Sequence, residues 1–275
     1  MTVDTGHSDP VRGGIAPRDA RHHHLRIRRI LERRITPSLI LDPSKEIPSG
    51  GAADNRQGQS DALVAMALQG REAQARAELR ALYEEGMGFD RMQLGLLAPA
   101  ADKLGALWES DSLSFVDVTI ATGTLQRLMH FVAIDLETMP SMGKPKRAML
   151  MVQEPGAEHT MGASMAVRFF ERAGWHVDYK PGASRSALIE LIRSRSYDVL
   201  SLSIAVEDKV ASAARLLREL RTASRNRGVI TLGGGGALIR DPLLVNDLGL
   251  DAVATAIAGA PDALAQLVRA RNAAP

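Results

Sequence analysis

Residues 149–162 read Met-Leu-Met-Val-Gln-Glu-Pro-Gly-Ala-Glu-His-Thr-Met-Gly, an apolar run that ends in a Pro-Gly turn followed by one histidine. A short run without polar residues before Gln153 is what a strand buried on both faces of a parallel sheet requires. Pro155-Gly156 breaks it. From Met161 onward Met165, Phe169 and Phe170 recur at helical spacing, so His159 is predicted on a loop between the carboxyl end of a strand and the amino end of a helix. Open α/β folds bind their ligands on such loops.

The same alternation continues to the end of the chain. Short apolar runs near 147–153, 176–180, 197–204, 228–232 and 251–254 are separated by helical patterns, and parallel neighbours need crossover connections of this kind. The prediction is a Rossmann-like, doubly wound parallel sheet of five strands over 146–275. His159, Ser203 and Gly233 to Gly236 then fall just past strand carboxyl ends, on one rim.

Ahead of it lie four helical patterns. Ala62, Leu63 and Met66 mark the first, and Leu79, Leu82, Tyr83 and Met87 the second. Leu97, Ala101, Leu104 and Trp108 mark the third, and Ala121, Leu125, Leu128 and Val132 the fourth. Short polar turns between them predict antiparallel packing, hence a four-helix bundle over 59–140. Ser141 to Pro145 reads as the hinge, and residues 42–59 as a linker by composition.

Residues 1 to about 20 lack apolar period and read as a disordered tail, so 1–58 is predicted to be a basic, largely unfolded region. Leu25, Ile27, Ile30, Leu31 and Ile35 suggest a short basic helix, with Arg26, Arg28, Arg29, Arg33 and Arg34, that Pro37 stops. It reads either as a solvated helix on the body or as a contact for a partner or nucleic acid. His22 to His24 are consecutive, which spreads them around a helix and argues against a metal cluster.

Composition excludes several classes. The chain has no cysteine, so disulfides, thiolate metal sites and a cysteine nucleophile are out. With 34 Lys+Arg against 32 Asp+Glu the whole-chain field is weak, and any basic patch must be local. No apolar run approaches the roughly 20 residues of a membrane span, and the amino terminus lacks a signal-peptide core, so a cytoplasmic location with no membrane contact is expected.

Three motifs in order carry a resemblance. Ala157-Glu158-His159-Thr160-Met161-Gly162 resembles the Asp-x-His-x-x-Gly signature of the cobalamin-binding family, with Ala157 where the family has aspartate. Ser203-Ile204-Ala205 resembles the family's Ser-x-Leu, with Ala205 for leucine. Leu232 followed by Gly233 to Gly236 resembles its Gly-Gly, and of these Gly233 and Gly234 are the favoured pair.

The resemblance implies cobalamin as cofactor, in adenosyl, methyl or hydroxo form, with His159 ligating cobalt from below in place of the cofactor's own base. It implies that Gly162 belongs to the same loop, that Ser203 hydrogen-bonds the nucleotide tail, and that Gly233 and Gly234 let the tail pass. Segment 104–119 looks like the helical cap over the corrin in this family, with Trp108 above the metal; its other reading is core packing beside Leu97, Ala101 and Leu104. Relatives among light-sensing repressors and methionine synthase carry Glu-His where this chain has Val118-Thr119.

The motif's aspartate tunes the cobalt-bound histidine in methyl-carrying enzymes, a role that Ala157 cannot fill. After the linker, one bundle and one cofactor fold account for nearly the whole chain, so no substrate module is expected and the protein is read as no enzyme. Over about residues 60 to 270 the chain most resembles the AerR/PpaA antirepressors of purple photosynthetic bacteria. That resemblance implies a light- or redox-responsive regulator acting through a DNA-binding repressor of photosynthesis genes, with direct nucleic-acid contact a lesser expectation. The alternatives are a corrinoid carrier for methyl transfer and a haem-binding sensor on the same fold.

Overall fold

The computed structural model describes residues 53–136, 145, 147–155, 157, 160–241, 244 and 248–273. The helix expected around 25–35, the three histidines, most of the hinge, Glu158 and His159 lie outside the described residues.

The bundle is built from helix α1 (Ala53–Leu68), helix α2 (Glu72–Glu84), a composite helix α3 and helix α4 (Phe115–Phe131), which runs on as a π-helical turn, Val132–Leu136. Helix α1 begins inside the stretch expected to be linker, because 53–59 contains no proline and only one glycine, Gly58, to oppose helix formation. Helix α3 is continuous through Phe89–Met92, a π-helical Gln93–Leu97 and Ala98–Glu109. Pro99 lacks an N–H and cannot close an ordinary turn, and the widened turn lies just before it. Two buried side chains serve the irregular region. Ser60 Oγ donates to the Leu96 carbonyl at 3.1 Å, and Gln93 Nε2 donates to the Met129 carbonyl at 2.9 Å.

Helix α4 starts at a reciprocal cap in which Asp117 N donates to Ser114 Oγ at 3.2 Å and Ser114 N to Asp117 Oδ2 at 3.3 Å. Leu63, Leu79, Leu96, Leu125 and Leu128 close one core with almost no exposure. Full burial of each such side chain contributes roughly 1.5–3 kcal/mol.

The second half alternates strictly. Strand β1 (Arg147–Gln153), helix α5 (Met161–Arg172), β2 (Trp175–Tyr179), α6 (Arg185–Ser194) and β3 (Val199–Ser203) lead to α7 (Val210–Ala223). Strand β4 (Ile230–Gly234), the short α8 (Gly236–Arg240), β5 (Ala252–Val253) and α9 (Ala260–Ala273) complete it. All pairings are parallel and the strand order is β2-β1-β3-β4-β5. The expected fold class is therefore the observed one.

Alternation along the strands feeds two cores. Met149, Met151, Val199, Ile230 and Leu232 meet Val167 and Phe170 of α5 and Leu264 and Val268 of α9. Leu150, Val152, Leu200 and Leu202 meet Leu188 and Ile192 of α6 and Leu216, Leu217 and Leu220 of α7. The order reverses direction between β1 and β3, and the segments leaving these strands part company there. Such a switch point opens a crevice at the carboxyl rim.

The bundle sits on α5. Met165 and Phe169 leave the sheet's side and join the bundle core, with the Phe169 ring 5.0 Å from that of Phe89. Arg172 stacks its guanidinium 4.2 Å above Phe89. Among the described residues no helix is long and apolar enough to cross a membrane.

Candidate functional site

Registration brings three residues into one row at the carboxyl rim. Gln153 of β1 is level with Ser203 of β3, and Ser203 with Gly234 of β4. They are the last residues of their strands; Gln153 was expected there, whereas Ser203 and Gly234 were expected just past the ends. By strand alternation they share the face of Met151, Ser201 and Leu232, which α5 and α9 cover.

The polar groups of the row differ in what they already hold. Gln153 Oε1 accepts from the Tyr179 hydroxyl at 2.5 Å. Burial pushes the Tyr179 phenol above its ordinary range, while a hydrogen bond with Ser164 at the start of α5 acts in the opposite direction. Gln153 and Tyr179 thus form a fixed polar wall. The hydroxyl of Ser203 makes no hydrogen bond among the described residues.

The glycines divide. A side chain at Gly234 would meet only the Ala254 carbonyl oxygen, at 3.7 Å, so the face beside Ser203 is open there. Gly233 faces the other way. A Cβ there would run into Leu250, and it would lie 2.9 Å from Leu238, so this glycine makes room for the chain's own leucines. Gly235 has φ +99° and lies tight against the backbone of Ile204, which makes it the turn residue. Gly162, in the first turn of α5, has nothing within 4 Å of where its Cβ would be.

What overhangs the rim follows from two contacts. Gln126 Nε2 of α4 donates to Thr160 Oγ1 at 3.5 Å, and His130 Nδ1 lies 3.4 Å from Arg168 Nη2. The two contacts occur in the same order along α4 and α5, and the stretch of α4 from Phe115 to Gln126, about 16 Å long at 1.5 Å per residue, precedes the residue that meets the start of α5. Phe115 precedes Gln126 by close to three full turns and lies on the same side of the helix.

That part of α4 and the end of α3 carry exposed apolar side chains. Trp108 is 43% exposed, Phe115 71%, Val116 60% and Ile120 51%. The Trp108 and Phe115 rings meet edge to face, with centroids 6.3 Å apart. Trp108 is thus not the fully buried core residue that its neighbours Leu97 and Leu104 suggested, although the adjacent Leu107 still packs against the bundle core. Phe115 lies within segment 104–119, expected as the cap, and its own signal in the sequence is an apolar pair placed directly after the helix cap Ser114.

The residues fit a flat macrocycle with a long tail. The open strip beside Gly234 and the Ser203 hydroxyl would take a tail, bordered by the polar wall of Gln153 and Tyr179, and the exposed apolar side chains of Trp108 and Phe115 would suit the upper side of the ring. Among the described residues no group of His, Asp and Glu side chains could hold a bare metal ion. His159, the ligand expected for cobalt, lies outside the described residues.

Comparisons with known proteins point the same way. One family model for a B12 binding domain matches residues 149–268, and a second with that description matches residues 59–132. The uncharacterized 20.5 kDa protein in the bchF-crtJ intergenic region of Rhodobacter capsulatus is 31% identical over 170 residues, 58% of this chain and 88% of that relative. The Methanosarcina barkeri monomethylamine corrinoid protein superposes with a TM-score of 0.63 at 13% identity, covering 77% of this chain and 99% of that one. This likeness shows the fold alone. The chain belongs to the B12-binding domain family, with cobalamin as its cofactor.

Proposed function

We propose that the protein is a cobalamin-dependent regulator that responds to light or redox state and acts through a DNA-binding repressor of photosynthesis genes. The observation that carries this reading is the overhang. The same apolar surface that would meet the upper side of the cofactor, Trp108 and Phe115, continues into side chains open to solvent, Val116 and Ile120. Cobalamin supplies a cobalt centre with an exchangeable upper ligand. A change above the ring then reaches an outer surface through one helix, α4, which the Ser114–Asp117 cap and the Gln126–Thr160 contact hold in place. Such a shift operates only through differential affinity for two states.

The relative from the bchF-crtJ interval supports a regulatory setting. So does Ala157, whose methyl group has no hydrogen bond to offer a cobalt-bound histidine. The test is repressor–DNA binding measured with apo protein, dark cobalamin-loaded protein and illuminated protein. The reading requires at least one state to differ. Identical repressor behaviour in all three, together with methyl transfer to a thiol or folate acceptor, would replace it with the second reading, a corrinoid carrier. The carrier has the two-part fold of the Methanosarcina corrinoid protein in its favour.

A further inference from the structure

The edge of the sheet opposite the cofactor rim is arginine-rich. Helices α6 and α7 end at this edge, where β3 and β4 begin, and between them runs a groove of about 420 Å³. Arg193 and Arg218 line it, both exposed, and neither has a partner among the described residues. Arg225 and Arg227 follow at its lower end, held by hydrogen bonds to the Ser194 carbonyl at 3.1 Å and the Thr222 carbonyl at 3.3 Å. Cations near helix carboxyl ends offset the helix dipole, which accounts for this second pair. It does not account for Arg218, which lies more than a turn inside α7.

The acids nearby are already engaged. Glu219, also in the groove, is paired with Arg185. Asp178 accepts from Arg195 at 3.1 Å and from the Tyr197 hydroxyl at 2.7 Å, and Asp251 takes Arg271 at 3.1 Å. Glu190, on the exposed side of α6, is the exception. Charge is also unevenly shared along the chain: acidic residues outnumber basic ones in the bundle, and basic ones outnumber acidic in the sheet half. None of the exposed large apolar side chains belongs to this groove; those described are Trp108, Phe115, Val116, Ile120, Ile134 and Ile239.

We infer that the α6–α7 groove, with Arg193, Arg218, Arg225 and Arg227, is a docking face for the phosphate backbone of duplex nucleic acid. A protein partner needs a desolvated core at the centre of its footprint, which this groove does not offer. Phosphate contacts need only guanidinium donors and carry no sequence information. The assignment is independent of how cobalt is used, because the groove lies at the far edge from Ser203 and Gly234.

The experiment uses the full cobalamin-loaded chain and a fluorescently labelled duplex of arbitrary sequence, followed by anisotropy over a salt series starting near about 50 mM. The double variant Arg193→Glu/Arg218→Glu should bind at least about tenfold more weakly, with a salt dependence shallower by about two phosphate contacts. A control at the cofactor rim, Lys180→Glu/Lys209→Glu, changes the net charge equally and should stay within about twofold of wild type. Circular dichroism and the cobalamin spectrum verify that both variants fold. The inference is overturned by absence of duplex binding at low salt, by equal losses in both variants, or by duplex binding that ignores Arg193 and Arg218. Binding of polyglutamate, but not duplex, that depends on these arginines would also overturn it, in favour of an acidic protein.

Discussion

Ser203 and Gly234 are level neighbours on β3 and β4, and the hydroxyl of one adjoins the open face left by the missing side chain of the other. The pairing predicts unequal mutants. Gly234→Val should leave the fold intact, since its first contact would be the Ala254 carbonyl oxygen at 3.7 Å, but it would fill the open strip in which the proposed function runs the tail. Cobalamin affinity should fall more than about tenfold, whereas Ser203→Ala, losing one hydrogen bond of about 0.5–1.5 kcal/mol, should fall less. Titration followed by visible absorption gives the order, and a larger effect at Ser203 would mean that the tail runs elsewhere.

Gly235→Ala should do the reverse. With φ +99° and the Ile204 backbone against it, the added methyl strains the turn by about 1–3 kcal/mol. Urea unfolding should register that loss in protein without cofactor, while Gly234→Val barely moves the midpoint. Equal midpoints for the two variants would contradict the division of labour among the glycines.

Asp251 anchors the sheet's edge. Burial opposes its ionisation, yet hydrogen bonds from Thr231 N at 2.8 Å, Thr231 Oγ1 at 2.7 Å and Arg271, with Arg221 nearby, hold its carboxyl below the ordinary range. A depressed folded-state pKa stabilises the fold above the unfolded value near about 3.9 and loses that contribution as pH falls through the folded value. Asp251→Asn should therefore cost about 1.5–3 kcal/mol at neutral pH, with the difference from wild type shrinking below about pH 4. Denaturation at pH 7 and at acid pH checks it; a difference that grows toward acid would give the shift the wrong sign.

Trp108 and Phe115 are too exposed for a stabilising role, at 43% and 71%. The pair Trp108→Ala/Phe115→Ala should change folding stability by no more than about 1.5 kcal/mol, the upper worth of such a ring pair. On the proposed function it should blunt the difference between dark and illuminated protein in the repressor assay. A strongly destabilised variant would return both rings to the bundle core.

Much of this architecture was legible because periodicity reports burial. Ala121, Leu125, Leu128 and Val132, chosen by spacing alone, are all buried, and the apolar run before Gln153 is β1. What stayed hidden depends on phase or on long-range placement. A run of four glycines has no side chains to show which faces the open strip beside Ser203, and only the strand phase set by Leu232 separates Gly234 from Gly233. The overhang of α4 was invisible because it depends on Gln126 meeting Thr160, 34 residues away. The π-helical turn at Gln93–Leu97 had its sign in Pro99, but the partner that completes it, Ser60, lies on another helix.

On the proposed function, His159 replaces the cofactor's own base as the lower ligand of cobalt. Protein labelled with ¹⁵N only at histidine, loaded with cobalamin and reduced to the paramagnetic cobalt(II) state, reports the lower ligand directly by electron paramagnetic resonance. The expected result is the two-line nitrogen splitting of a ¹⁵N ligand, lost in His159→Ala. A three-line splitting from the unlabelled base of cobalamin, unchanged in His159→Ala, would contradict it.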